Sequence, residues 1–375
     1  MNDLEKKVIN TINKYKLIQD GDKIVLGVSG GPDSMGMLDL FNNLRQSNNI
    51  LIEYENCQKN PEPVAKLPKR PGTGGNFEIV VAHVNHMIRA EAEDDENYVK
   101  EYCKKNGIEF YSKSIEVEKI ANNNKIGTEE AGRKVRYEFF NEVAKQVNAN
   151  KIAIAHNKND RAETIIMNIL RGSGVSGLKG IEPIKNNKYI RPLIECERTE
   201  IERYCIEQNL KPRIDKTNFE NVYTRNKIRN IVIPYIKKEF NPNIIETIVR
   251  LSDLIKEDDE YIANEVEKKY NDMCLGEKEK EIILDLKKFN SQEKVIKSRI
   301  LLYTITKLMG SGQGVYKIHI EDIIKMCQNN IGNKYLTPNK NIKILVKDHK
   351  IFFINQKWVA VIKSPNRHDC NKKDI

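Results

Sequence analysis

Between a short apolar run and a helical stretch the chain reads Ser29-Gly30-Gly31-Pro32-Asp33-Ser34. Two adjacent glycines let backbone N–H groups approach a phosphate with no Cβ in the way. Pro32 suits the first position of a helix whose N-terminus attracts an anion. Ser29 and Ser34 add hydroxyl donors. Asp33 is the discordant member, because a carboxylate beside phosphates makes sense mainly where it holds Mg²⁺ against a nucleotide. The alternative is an ordinary capped turn in which Asp33 serves the helix dipole. The loop has neither the lysine of a GxxxxGK[ST] motif nor a GxGxxG dinucleotide fingerprint.

Four further segments carry chemistry. His83-Val84-Asn85-His86-Met87-Ile88-Arg89 follows an apolar run, and Glu130 to Tyr137 places Arg133 and Arg136 three residues apart. On a helix that spacing gives one face, as a clamp for phosphate or carboxylate requires, although Glu129, Glu130 or Glu138 are equally available partners. His156-Asn157-Lys158-Asn159-Asp160-Arg161-Ala162-Glu163-Thr164 leads to the turn Arg171-Gly172-Ser173-Gly174. There Arg171 also suits the end of a helix with Gly172 as its stop. Asp215-Lys216-Thr217-Asn218 runs into Tyr223-Thr224-Arg225-Asn226-Lys227-Ile228-Arg229, whose cations suit a solvated face equally well. His83 and His86 lack a third ligand at metal spacing, which argues against zinc.

These segments need a scaffold, and the periodicity supplies one. Lys23–Val28, Glu78–His83, Glu109–Val117 and Lys151–Ala155 are β-branched runs, each followed by helical spacing. Strand and helix alternating in this way predict an α/β fold, a doubly wound and mostly parallel sheet. In such a sheet ligands bind beyond the carboxyl ends of the strands, where the motifs fall. The Pro/Gly-rich stretch Asn56–Asn76 precedes a strand and is expected to be a flap away from the site, its Lys59, Lys66, Lys69 and Arg70 available to RNA. Past Arg225 the alternation stops. Ile244, Ile248, Leu251, Ile255, Ile262 and Val266 mark one long amphipathic helix. Helices near 292–308 and 320–326, with strands at 342–346, 351–354 and 359–362, then predict a small α+β domain. The expected division is a catalytic domain over 1–225, a helical spacer over 226–290 and a C-terminal domain over 291–375.

Composition bounds the function. The 375 residues hold 63 Lys+Arg against 53 Asp+Glu, a formal charge of +10 that is compatible with a polyanionic partner without requiring one. No run approaches the roughly 18 apolar residues of a membrane span, and charges interrupt the N-terminal stretch where a signal peptide would be apolar. A cytoplasmic protein with no membrane partner is expected. Seven cysteines without a CxxC pair read as free thiols.

The loop Ser29–Ser34 resembles the SGGxDS pyrophosphate loop of the ATP pyrophosphatases, whose fold is the adenine nucleotide alpha hydrolase type. With the other segments, through the run ending at Pro234, the chain resembles the tRNA(Ile)-lysidine synthetases. That resemblance implies ATP and Mg²⁺ as cofactors. It also implies L-lysine and tRNA(Ile) with a CAU anticodon as substrates, and activation of C2 of the wobble cytidine by adenylation. The lysine amine then displaces AMP to give lysidine. Carried over, it implies that Ser29, Gly30, Gly31, Pro32, Asp33 and Ser34 hold ATP and Mg²⁺, with adenine seated by Ala82 and His83. Arg89, Arg133 and Arg136 would stabilise charge on phosphate and RNA, Asp160 and Glu163 would orient lysine or metal, and Arg171, Arg225 and Arg229 would bind substrate. The oligomeric state stays open, a homodimer included.

The sequence departs from that pattern, which usually reads His-His-x-Asp-Asp. Asn157 and Asn159 stand where a histidine and an acid are expected, and neither can carry a charge. The Asn56–Asn76 segment is longer than the usual link, and a further tRNA-contacting module of long members is expected to be missing. Two other readings therefore stay open. One is another adenylating enzyme, a tRNA thiolase or amidotransferase-type synthetase. The other is a non-catalytic nucleotide and tRNA binder.

Overall fold

The computed structural model describes residues 2–47, 77–87, 92–213, 223–312, 314–329 and 334–356. The Asn56–Asn76 segment, Arg89, Asp215–Asn218 and the strand expected at 359–362 lie outside the described residues. Contacts divide the chain into two units, Met1–Ile255 and Lys256–Ile375.

The first unit opens with α1 (Asp3–Lys14), started by a reciprocal capping box between Asn2 and Glu5. Next come β1 (Lys23–Gly27), α2 (Pro32–Ser47), β2 (Glu78–Asn85), α3 (Ala92–Lys105), β3 (Glu109–Ser114), α4 (Val117–Asn124) and α5 (Thr128–Gln146). Then follow β4 (Lys151–Ile154), α6 (Lys158–Leu170), the short α7 (Val175–Leu178), the hairpin β5 (Ile184–Lys185) and β6 (Tyr189–Ile190), and α8 (Arg198–Glu207). A continuous helical segment comes last, α9 (Thr224–Lys227) and α10 (Ile233–Glu239) joined by a π-helical turn at Ile228–Val232.

The strands form one six-stranded sheet in the order β3-β2-β1-β4-β6-β5, parallel except for the edge strand β5. Alternation along each strand splits its side chains between two layers. Ile24, Leu26, Ile79, Val81 and Ala153 face a core shared with α1, α2, α3 and α8. Val25, Val80, Ala82, Val84, Ile152 and Ile154 face a second core built with α5. Each of the large aliphatic side chains is worth about 1.5–3 kcal/mol on burial, so the strands are apolar on both faces for an energetic reason. The sheet is therefore doubly wound. Strand order reverses at β1, whose neighbours are β2 on one side and β4 on the other, and the crevice opens above that switch point.

The expected spacer over 226–290 is not a separate body. Its first part joins the catalytic unit, where Ile228, Ile233 and Ile245 pack on Ala162 and Ile166 of α6. The long helix α11 (Ile244–Met273) carries the predicted apolar stripe, but the two ends of that stripe enter different cores. Its last turns bury Val266, Tyr270 and Met273 in the second unit. Residues 274–285, expected to be helical, form β7 (Cys274–Lys278) and β8 (Glu281–Asp285), because Glu-Ile-Ile-Leu-Asp buries alternate residues as a half-covered strand does. With α12 (Leu286–Asn290), α13 (Lys294–Met309), α14 (Lys317–Gln328), β9 (Lys334–Asn339), β10 (Ile342–Lys347) and β11 (Lys350–Asn355) they complete an α+β unit. Its sheet is antiparallel in the order β7-β8-β11-β10-β9. Pro338 sits on the edge strand β9, where a missing N–H costs no ladder bond.

Candidate active site

A cavity of about 970 Å³ lies at the switch point, walled by the loops after β1, β2 and β4 and by the start of α8. Its floor is the Ser29–Ser34 loop. Gly30 has φ +87°, a conformation that favours glycine, and its carbonyl accepts from the Arg213 N–H at 2.9 Å. Helix α2 starts at Pro32, and Pro32, Asp33 and Ser34 line the cavity, which puts the positive end of the helix beside it. Ser34 Oγ braces the loop, accepting from Ser29 N at 3.1 Å and donating to the Gly31 carbonyl at 3.0 Å.

Asp33 projects into the cavity from the first turn of α2. Burial and the neighbouring Asp160 carboxylate hold its pKa up at about 6, against which Arg198 and a hydrogen bond from Asn157 pull it down. Asn157, fully buried, donates from Nδ2 to Asp33 Oδ1 at 3.0 Å. Its own Oδ1 accepts from the Asp160 N–H at 2.9 Å, and Asp160 Oδ2 accepts from the Asn157 N–H at 3.0 Å. That reciprocal capping box begins α6 and ties it to the phosphate loop. The departure from the His-His-x-Asp-Asp pattern thus has a structural use. Asn159 has another, since its Oδ1 accepts from the Arg198 N–H at 3.1 Å and steadies the start of α8.

The expected site residues are not all brought together. Ser29, Gly31, Pro32, Asp33, Ser34, His83, Arg136, Asp160 and Arg229 line the cavity. Ala82 does not: it is fully buried in the sheet, and its carbonyl accepts from Val28 N. His83 donates from Nδ1 to the Val28 carbonyl at 2.9 Å, and burial keeps its pKa low, so the neutral ring presents Nε2 as an acceptor. Arg133 and Arg136 do not form a clamp. Arg133 stacks its guanidinium 5.5 Å from the centre of the Tyr137 ring, whereas Arg136 lies 3.4 Å from His86 Nε2. Arg171 is an exposed residue at the C-terminal cap of α6, about 20 Å along the helix from Asp160's end.

Arg225 and Arg229 face acids. Glu163, 1% exposed at its side chain, accepts from Arg225 Nε at 2.9 Å and Arg229 Nε at 2.6 Å, and Asp160 Oδ1 lies 3.1–3.2 Å from both guanidiniums. Helices α6 and α9 with its π-helical turn are thereby bolted together beside the cavity. Sequence reasoning gave no role to two members of this site. Arg198 lies 3.5 Å from Asp160 and 4.0 Å from Asp33. His156 accepts from Arg191 Nε at 3.1 Å on its Nδ1, and burial together with Arg191 holds it neutral. The available signal for Arg198 was a cation at a helix start, where the macrodipole disfavours it.

Among the described residues no cluster of three or more His, Cys, Asp or Glu side chains could enclose a metal. A nucleotide-associated Mg²⁺ needs none, since phosphates and water supply most of its ligands beside one or two carboxylates. Asp33 fits that demand: its pKa is raised partly by Asp160, and a cation would relieve that repulsion. Among the described residues the cysteine pair nearest in sequence offers no comparable chemistry. Cys196 and Cys205 are buried, and burial pushes their thiols up to about 12. No helix among the described residues is long and apolar enough to cross a membrane.

Residues 2–236 match the model of the PP-loop domain family ATP_bind_3. The tRNA(Ile)-lysidine synthase of Clostridioides difficile is 44% identical over 94% of this chain and 71% of its own length, and that of Clostridium tetani 42% over 92% and 68%. A U34-tRNA thiolase, NcsA from Methanococcus maripaludis, solved with its [4Fe-4S] cluster, shares the fold at a TM-score of 0.50 and 22% identity, covering 68% of this chain and 78% of that one. A PP-loop domain matched over most of the catalytic unit, and relatives so similar over nearly the whole chain, place this protein in the tRNA(Ile)-lysidine synthase family.

Proposed function

We propose that this chain joins L-lysine to C2 of the wobble cytidine in a CAU anticodon of tRNA(Ile), using ATP and Mg²⁺ and passing through an adenylated cytidine. The observation that carries the reading is one cavity in which an anion-binding helix start, Asp33 and Asp160 converge, with Glu163 buried behind Asp160. The C2 oxygen is a poor leaving group. Its attack on the α-phosphate of ATP forms the O–P bond and expels pyrophosphate, after which AMP departs readily.

The residues divide the work. The first N–H groups of α2 bind triphosphate oxygens, and Asp33 would hold Mg²⁺, whose chemistry is to neutralise phosphate charge. His83 Nε2, an acceptor, suits an adenine amine. Arg136 adds positive charge at the cavity wall, where charge on phosphorus oxygens grows in the transition state. His156, held neutral with Nδ1 accepting, carries its proton on Nε2 and serves as a hydrogen-bond donor. In the second step the lysine amine must lose a proton before it attacks C2. Asp160, which lines the cavity, would orient the ammonium, since a carboxylate suits a lysine that has still to lose its proton. Glu163 acts behind it by fixing Arg225 and Arg229. The substrates meet in the cytoplasm, where the protein would work.

The test is to incubate unmodified tRNA(Ile) transcript with ATP, Mg²⁺ and isotopically labelled lysine, and to identify the nucleoside product by mass. Lysidine made by the wild type and not by Asp33→Ala is the expected result. ATP consumption with no lysine in the tRNA would contradict the reading.

A further inference from the structure

Arg198 is the first residue of α8 and lies among three carboxylates. Its Nε is 4.0 Å from Asp33 Oδ2, and its Nη2 is 3.5 Å from Asp160 Oδ1 and 3.8 Å from Glu163 Oε1. All three separations exceed ordinary hydrogen-bond range. Arg225 and Arg229, by contrast, reach the same acid pair at 2.6–3.2 Å. Three acids and three guanidiniums balance in charge, but Arg198 is held to these acids by attraction across a gap while the other two are bonded.

Its backbone is nevertheless fixed, through the Asn159 Oδ1 acceptor at 3.1 Å. A pinned main chain with a loosely held side chain is the arrangement of a swivel. The position also opposes helix stability, because a cation at the first residue of a helix meets the positive end of the dipole. Some other requirement must keep it there. Asp33 is the carboxylate expected to take Mg²⁺. Once it does, the guanidinium loses part of what it faces. A nucleoside triphosphate also brings more negative charge than one Mg²⁺ cancels, and a guanidinium fork matches phosphate oxygens.

We propose that Arg198 is a phosphate-directed catalytic residue: it faces Asp33 and Asp160 across a gap and turns onto the triphosphate of ATP when the nucleotide enters. It makes and breaks no covalent bond, and its charge stabilises the departing pyrophosphate. The inference rests on the reading of this cavity as the ATP site.

The experiment uses the full chain as wild type, Arg198→Ala and Arg198→Lys. ATP affinity is measured by calorimetry with Mg²⁺ and with EDTA in its place, beside tRNA affinity and thermal stability. Arg198→Ala is expected to weaken ATP binding about tenfold or more under both conditions, the scale of a lost charge-assisted contact. It should leave tRNA affinity and melting temperature nearly unchanged. Arg198→Lys should recover part of the ATP affinity, which a purely structural role would not predict. If Arg198→Ala does not fold, Arg198→Gln supplies the same comparison. ATP affinity equal to wild type under both conditions overturns the proposal even if activity falls. A wild type that binds ATP but adds no lysine to tRNA would instead overturn the functional reading and leave the role of Arg198 intact.

Discussion

At the scale of the residue, Asp33 carries a conflict between stability and function. Its folded pKa of about 6 lies above the ordinary 3.8, so the folded protein favours the protonated acid. The stability associated with that proton is present below about pH 4 and is lost as pH rises through about 6. Asp33→Asn should therefore stabilise the ligand-free protein at pH 8 by about 1–2 kcal/mol, with the gain fading towards pH 4, while abolishing ATP-dependent activity. Urea unfolding across that range checks it, and a gain that grows at low pH would contradict the assignment. Glu163 predicts the opposite behaviour. Glu163→Gln removes a buried charge facing Arg225 and Arg229 and should cost about 3–5 kcal/mol, visible as a lower urea midpoint. The Ser29–Ser34 loop was legible in sequence because its chemistry is local. The roles of Arg225 and Arg229 were not, since basic residues beside a motif look the same whether they await RNA or face acids more than 60 positions earlier. Asn157-Lys158-Asn159-Asp160 carried a readable capping-box spacing, overlaid on an acid that also suits catalysis.

At the scale of the element, close approach decides where the site residues sit. Gly27 ends β1 against α5, where an added Cβ would lie 2.4 Å from Phe140 Cε2. Gly27→Ala should cost about 1–3 kcal/mol by overpacking, and a second change, Phe140→Leu, should return part of it. Denaturation of the single and double variants measures this, and additive losses would refute the contact as the cause. Gly36 does the same on the other layer, its missing Cβ letting Ile201 of α8 come close enough to bring Arg198 beside Asp33. Strand and helix alternation was legible along β1 to α6 because each strand is apolar on both faces and each helix is long. The strands at 274–285 and 334–339 were missed where glycine, proline or lysines interrupt the alternation that marks a half-buried strand. The boundary of the first unit was misplaced for a related reason: an amphipathic stripe states that a helix is buried on one face, not which core buries it.

At the scale of the whole molecule, the charge of +10 over 375 residues becomes interpretable once the family is known. Complex formation with tRNA should weaken at least about tenfold between roughly 50 and 200 mM salt, as counterion release requires. Filter binding or fluorescence anisotropy would register it, and a flat response would show that phosphate contacts do not dominate. In the proposed reaction one cavity first adenylates the RNA and then transfers lysine. The most direct test omits lysine. With ATP labelled at the α-phosphate, wild-type protein and unmodified tRNA(Ile), label is expected on the tRNA, released as AMP when lysine is added, with lysine taking its place. Label that never reaches the tRNA, or that stays there after lysine is supplied, would contradict it.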